Sequence, residues 1–190
     1  MKYLQSAFSA FFCVLISSSF IDTTCASEIA ISTIPTEQGF DIAGSFYVPL
    51  SPCQSYHLLT DYDLEQDLPG VKMIKHTRLS NQRVQLQREI EERVLFLPVQ
   101  ISSIIEITEK PYRGMDFVQI SGSAKSYSGQ WRLQQVGTGT RFIYKAHTEP
   151  GSIFPDAIAR QIVEESLRRN FAAMVDLAHR RLNILNNQCT

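Results

Sequence analysis

Through residues 39–148 of this chain, apolar side chains recur at about every second position; from residue 156 to about residue 182 they recur at helical spacing. The period changes decisively only once, and late. Consecutive strands followed by a segregated helix specify an α+β architecture, in which an antiparallel sheet is covered by helix instead of alternating with it. Strand-like runs cover residues 39–48, 71–79, 83–94, 99–110, 114–121, 129–136 and 140–148. Ser80-Asn81 marks a hairpin turn, Pro98 separates two runs, and Gly137-Thr138-Gly139 turns the chain tightly. In the last run Phe142, Tyr144 and Ala146 face one way, opposite Arg141, Lys145 and His147. The helical stripe is Ile158, Ile162, Leu167, Phe171, Met174, Ala178 and Leu182, with Glu164–Arg168 and Glu165–Arg169 as i,i+4 pairs on the other side. With 190 residues, 44% of them hydrophobic, the chain suits one domain with a sizeable core.

The first strand ends abruptly in VPLSPCQSYHLLTDYD, residues 48–63. Pro49 and Pro52 cannot donate to a ladder, Ser51 stands where an N-cap belongs, and Pro52 suits the first helical position. Tyr56, Leu59 and Tyr62 then recur at helical spacing, so a strand runs straight into a short helix. LEQDLPG (64–70) reads as a loop or a second short helix.

The N-terminal residues do not belong to this pattern. Lys2 precedes an apolar run at 7–16, and Thr24-Cys25-Ala26 offers small residues for cleavage before Ser27. This is the layout of a secretory signal peptide, residues 1–26, leaving one domain at 27–190 in an exported, periplasmic protein. The apolar run is shorter than the roughly 20 residues of a spanning helix, so no stable membrane insertion is expected after cleavage. Asp22-Thr23-Thr24 before Cys25 departs from a lipidation pattern. Cleavage would leave two cysteines, Cys53 and Cys189, a disulfide candidate in an oxidising compartment. A formal net charge of −1 provides no field for nucleic acid, and no nucleic-acid partner is expected.

VPLSPCQSYHLLTDYD resembles the strand-to-helix segment of START-like (SRPBCC) proteins, in the group with polyketide cyclases/dehydrases and coenzyme Q-binding proteins. SGQWRLQQVGTGTRFIYKAHTEP (128–150) resembles their G-x-W-x-L … G-T hairpin, and the order of elements agrees from about Phe40 to Arg181. The match departs at His57, near where relatives carry a helix aromatic; Tyr56 takes that role in a shifted register. The resemblance implies a helix-grip fold: a curved antiparallel sheet of about seven strands wrapped around a long C-terminal helix, with short helices after the first strand and an apolar tunnel between sheet and helix. In that fold the two prolines end the first edge strand, and the short helix packs under the end of the long one. Cys53 and Cys189 would then close a ring around the sheet; the alternatives are a frayed LNNQCT tail that keeps the sulfurs apart, or pairing between chains.

Strand alternation and the helix stripe point Leu86, Ile90, Ile105, Phe117, Trp131, Phe142, Tyr144, Ile158 and Ile162 into that space as ligand-binding candidates. Arg88 and Glu92 fall on the apolar face of their strand. A charge taken out of water must be paired or face a wet cavity. They are read either as polar anchors within the tunnel or as signs that the strand leaves the core or flips at a bulge. Asp61, Asp63 and Asp67 lack the glycine turn and terminal glutamate of a calcium loop. His57, His76, His147 and His179 show no metal-ligand spacing, and there is no GxSxG nucleophile motif. No catalytic residue, metal or cofactor is therefore assigned.

Three functions compete. The leading one is a carrier or sensor of an apolar small molecule, such as a lipid, a quinone or a polyketide-like compound. The second is a cyclase/dehydratase-type enzyme, whose polar groups would have to come from Arg88, Glu92 or His147. The third is a protein-interaction module with a filled core.

Overall fold

The structure, a computed structural model, describes residues 29–94, 97–151 and 155–189; the leader expected at 1–26 lies outside them. Eight antiparallel strands form one sheet: β1 (Ala30–Thr36), β2 (Gly39–Val48), β3 (Val71–Arg78), β4 (Arg83–Val94), β5 (Leu97–Lys110), β6 (Gly114–Gly122), β7 (Ser126–Val136) and β8 (Gly139–Glu149). Helix α1 (Pro52–Thr60) and a 3-10 turn (Tyr62–Asp67) separate β2 from β3, and α2 (Asp156–Arg180) and α3 (Leu182–Gln188) follow β8. The sheet order is β1-β2-β8-β7-β6-β5-β4-β3, so the first long strand pairs with the last and the two edges are β1 and β3.

This corrects the expected fold in two respects. Among the described residues the strands number eight, because residues 30–36 pair with β2 although their sequence alternates only weakly. The strand before the prolines is consequently internal, and Pro49 ends it without forming a sheet edge. Pro98 lies inside β5, opposite Arg93, close to the strand's first residue, where a missing N–H is tolerated.

Helix α1 starts as its residues dictate. The Ser51 backbone N–H donates to Gln54 Oε1 (2.7 Å), and the Gln54 N–H donates to Ser51 Oγ (3.3 Å), a reciprocal capping box with Pro52 behind it. Between β7 and β8 the turn passes through Gly137 at φ 59°, a left-handed conformation for which glycine is suited.

The core lies between the inner face of the sheet and α2. Phe40, Ile42, Phe46 and Val48 of β2, Val84 and Leu86 of β4, Ile105 and Ile107 of β5 and Phe142 of β8 are buried there, and Phe171 of α2 meets them from the other side. Phe46 stacks on Phe142 with centroids 4.8 Å apart, and Phe171 sits 5.0 Å from Phe46 and 5.5 Å from Trp131.

The C-terminal helix differs from its expected form. It ends at Arg180, and residues 182–188 form α3 instead of fraying. The break at Arg181 turns Leu182 outward (41% exposed) and leaves Leu185 to bury against the core. The i,i+4 charge pairs are replaced by other partners: Glu164 accepts from Thr33 Oγ1, Glu165 from Gln161, and Arg169 donates to Glu92. For Glu164 and Arg169 the partners Thr33 and Glu92 come from the sheet, against which α2 lies, and they outcompete a solvated helix pair.

Cys53 of α1 and Cys189 beyond α3 are disulfide-bonded, with Cα atoms 6.0 Å apart across a sequence separation of 136. Gln54 donates to Asn186 beside the bond, and Arg181 bonds Asp61 at 3.3 Å. The intramolecular bond is the arrangement the resemblance implied.

Candidate functional site: a cavity between the sheet and helix α2

Between the curved sheet and α2 lies a partly open cavity of about 570 Å³. Most of its wall is apolar: Phe40 and Ile42 of β2, Leu58 and Leu59 of α1, Ile101, Ile105 and Ile107 of β5, Met115 and Phe117 of β6, and Ala159, Ile162, Val163, Leu167 and Met174 of α2. Of the eleven ligand-binding candidates, Arg88, Ile90, Glu92, Ile105, Phe117, Trp131, Tyr144 and Ile162 line this space. Leu86 and Phe142 are fully buried on the same sheet face but pack as solid core beside it. Ile158 also falls outside the wall, and Ala159, one residue on, takes its place. A helix turns 100° per residue, so a slight rotation of α2 about its axis is enough to exchange neighbours.

The two inward charges of β4 keep their strand's alternation, since β4 pairs with β5 without a register shift from Arg83 to Val94. Neither charge is unmatched. Arg88 Nε donates to Ser103 Oγ (3.1 Å), and Arg88 Nη1 lies 3.8 Å from Glu65 Oε2. Both side chains keep about a quarter of their surface accessible (23% and 24%), and both line the cavity, so that surface faces its interior. Burial pushes the Glu65 carboxyl above the usual carboxylate range, with Arg88 pulling the other way. Burial also opposes the charge on Arg88, but Tyr127, Glu65 and Tyr144 beside it more than compensate and hold it protonated. The hydroxyls of Tyr127 and Tyr144 meet at 2.7 Å, and burial and that contact push Tyr144 well above an ordinary phenol. One region of a mainly apolar wall thus gathers a cation, a carboxyl and three hydroxyls, with further polar side chains such as Gln100, Gln119 and Asn170 elsewhere on the lining.

Glu92 has a different role. Only 5% exposed, it accepts from Ser166 Oγ and from Arg169 Nη2 of α2, both at 2.5 Å. Its two oxygens fasten β4 to the helix and close the cavity wall between them.

Sequence reading missed Glu65, Ser103, Tyr127 and Ser166. Glu65 sits in the 3-10 turn, where no period exists to show its direction. Tyr127 was legible: extending the β7 alternation two residues back from Gly129 places it on the face of Trp131. His147, considered for catalysis, lies outside the cavity wall, with Nδ1 2.7 Å from Asp41. Asp61 and Asp63 do not converge; they pair with Arg181 and His76. Tyr56, in the helix position of the family aromatic, packs against Tyr112 at 5.4 Å instead of lining the cavity, and burial raises its hydroxyl pKa to about 12. No helix among the described residues is long and apolar enough to cross a membrane.

Solved structures share this architecture. A STAR-related lipid transfer protein fragment from Xanthomonas axonopodis superposes with a TM-score of 0.67 at 14% identity, over 80% of this chain and 98% of that one. The Zhui aromatase/cyclase from Streptomyces sp. R1128 gives 0.64 at 14% identity, over 80% and 96%. Human StAR-related lipid transfer protein 5 gives 0.61 at 10% identity, over 84% and 89%. At these identities the likeness shows the fold. No curated protein sequence matches the chain. A family model described as polyketide cyclase / dehydrase and lipid transport matches residues 48–175, from the end of β2 into α2. By that match over most of its length, and by its eight-stranded sheet gripping α2, the chain belongs to the START-like polyketide cyclase / dehydrase and lipid transport family.

Proposed function

We propose that the protein is an exported carrier or sensor that takes up an apolar small molecule, a lipid, quinone or polyketide-like compound, in the cavity between the sheet and α2. The observation that carries this reading is the cavity itself. Its volume of about 570 Å³ falls within the roughly 300–1,000 Å³ of small-molecule sites, and its walls are mainly apolar, with the polar cluster around Arg88 placed to fix one end of a ligand. Arg88, Ser103 and Tyr127 would receive one oxygen-bearing head group while the aliphatic wall of α2 covers the body. A volume of this size also speaks against an interaction module with a filled core. Export is supported by the leader-like residues 1–26 and by a disulfide of the type that persists in oxidising compartments.

Native mass spectrometry of the protein, followed by displacement of a fluorescent fatty acid, tests the uptake. Wild type should carry a lipid-sized mass or bind the probe, and Ala159→Phe, which fills part of the cavity, should bind it at least tenfold more weakly while melting normally. Equal binding by both proteins would remove the cavity as the site. Ile162→Asp, which places a charge on the wall, should abolish folding or uptake. For export, protein recovered from the periplasm should begin at Ser27, and an intact N-terminus there would refute cleavage.

One observation favours the cyclase/dehydratase reading: Glu65, half-buried on the cavity wall with its carboxyl pushed up beside Arg88, is the kind of perturbed acid found at catalytic sites. Turnover of an enolisable poly-β-ketone thioester by wild type, lost in Glu65→Gln, would establish it. Absence of turnover with retained binding would leave the carrier.

A further inference from the structure

A corner remote from the cavity function gathers three metal-ligating side chains. Cys53 and His57 stand four residues apart on one face of α1, and Cys189 is delivered to that face at the end of α3. The two sulfurs and an imidazole nitrogen all lie within 4.8 Å of one another, and all three residues are half-buried. Among the described residues this is the one such group of three. The two helix ends are held together independently of the sulfurs, by the Gln54–Asn186 hydrogen bond, by Arg181–Asp61 and by the burial of Leu185.

We propose that reduction of the Cys53–Cys189 bond converts this corner into a binding site for a borderline-soft divalent cation of the zinc type, with Cys53 and Cys189 thiolates and the His57 imidazole as ligands and the fourth position open to water. The reduction needs a dithiol. One of its thiolates attacks Cys189 Sγ, and Cys53 leaves as a thiolate at the first turn of α1, where backbone N–H groups favour negative charge. The second thiol of the reductant resolves the mixed disulfide and frees Cys189. Two electrons pass to the protein, the dithiol becomes a disulfide, and both sulfurs become available. A divalent cation then takes the place of the two thiol protons.

The distances suit the ion. Bonds of about 2.3 Å to sulfur and 2.0–2.1 Å to nitrogen put tetrahedral ligand atoms roughly 3.3–3.8 Å apart. Parting the sulfurs to that spacing is what bond cleavage permits, and the imidazole has to approach by only about 1 Å from the 4.8 Å limit of the group. Two thiolates and an imidazole are a donor set that selects zinc-class ions over magnesium or calcium. Disulfide and metal would then be interchangeable ties between α1 and α3: the disulfide in an oxidising compartment, the metal wherever the pair is reduced.

The test uses cobalt(II) as a spectroscopic probe. Protein beginning at Ser27, whose cysteines are Cys53 and Cys189, is reduced with a dithiol, desalted under argon and titrated with cobalt. Reduced wild type should develop tetrahedral ligand-field bands and thiolate-to-cobalt charge transfer, saturating at one cobalt per chain and bleached by zinc. Oxidised wild type should develop neither. His57→Ala should bind at least tenfold more weakly, while the Cys53→Ser/Cys189→Ser pair should lose the charge-transfer band. Absence of that band in reduced wild type, or unchanged affinity in His57→Ala, would overturn the assignment. Circular dichroism covers the case in which reduction loosens the fold. Recovery of the native spectrum on adding zinc supports the site; failure to recover it, with the spectrum of the double variant unaffected by zinc, counts against it.

Discussion

Gly44 offers the sharpest test of how α2 is seated over the cavity. It lies buried in mid-β2, opposite Ile31 on one side and Tyr144 on the other. Its backbone is ordinary extended strand, so a side chain there is not excluded by conformation. A Cβ at this position would stand 2.6 Å from Phe171 Cε2 and 3.0 Å from its Cζ, with the next atom, the Ala30 carbonyl oxygen, at 3.5 Å. The conflict therefore comes from one ring. That ring is 1% exposed and is hemmed in by Phe46 at 5.0 Å, Trp131 at 5.5 Å and Tyr144 at 6.2 Å. It can retreat only by lifting α2 or crowding those neighbours. Overpacking of this kind costs about 1–3 kcal/mol. Replacing glycine returns about 0.4–1 kcal/mol by restricting the unfolded chain. Gly44→Ala should thus lose about 1–2 kcal/mol, or about 2–8 °C in melting temperature for a domain of this size.

The control is Phe171→Leu, which removes the conflicting ring atoms and by itself should cost less than the roughly 3–5 kcal/mol of a truncation to alanine. In the double variant the methyl group introduced on β2 no longer meets a ring, and the cycle should show a favourable coupling of about 1 kcal/mol or more, within the roughly 0.5–3 kcal/mol range of contacting pairs. Urea denaturation followed by the fluorescence of Trp131, the sole tryptophan, reports directly from beside Phe171. A Gly44→Ala protein as stable as wild type, or strictly additive effects in the double variant, would refute the seating of α2 on β2 through this ring.

Other perturbations follow from the same geometry. Arg88→Met should leave Glu65 without its cation and raise its carboxyl pKa further. Because a raised folded-state pKa means that the native state holds the extra proton, the deficit against wild type should be small in acid and should grow as pH rises through and above the carboxylate range, measured as urea stability at several pH values. A deficit independent of pH would contradict the pairing. The Cys53→Ser/Cys189→Ser variant releases a loop of sequence separation 136. It should be less stable than oxidised wild type by about 2–4 kcal/mol in denaturant, since the chain-entropy ceiling near about 4.7 kcal/mol is seldom reached; equal midpoints would show that the bond contributes nothing. Glu92→Ala removes the acceptor of Ser166 and Arg169 and should speed hydrogen exchange in the first half of α2 and hasten release of a bound fatty-acid probe; unchanged exchange there would sink its role as a fastening. Truncation before Ser27 should leave the melting temperature unchanged, and a drop would show that the leader contributes to the core.

Much of the architecture was legible because the sheet buries one face. Alternation in β4, β5 and β8 is forced by the pleat, so Val84, Leu86, Ile105, Ile107, Phe142 and Tyr144 could be assigned inward without seeing a partner strand. The same rule put Arg88 and Glu92 inside, against the ordinary preference of charge for water. The Ser51-Pro52 start of α1 was equally local, since its cap is made within four residues. Strand β1 was less legible: its place comes from pairing with β2 at the sheet edge, and a largely exposed edge strand needs little apolar contrast of its own.

Whether Arg88 and Glu92 were anchors, fastenings or strand ends depended on residues far away in sequence. Glu65 from the 3-10 turn and Ser103 from β5 make Arg88 a paired cation on the cavity wall, and Ser166 and Arg169 from α2 make Glu92 a tie between layers. The division between wall and solid core was equally tertiary. Phe142 and Tyr144 share one face of one strand, yet Phe142 fills space against Phe46 while Tyr144 borders the cavity. Side-chain direction is a property of the local backbone, and so can be read from the chain alone. What occupies the space a side chain points into is set by sheet curvature and by the height at which α2 rides, which no local spacing encodes.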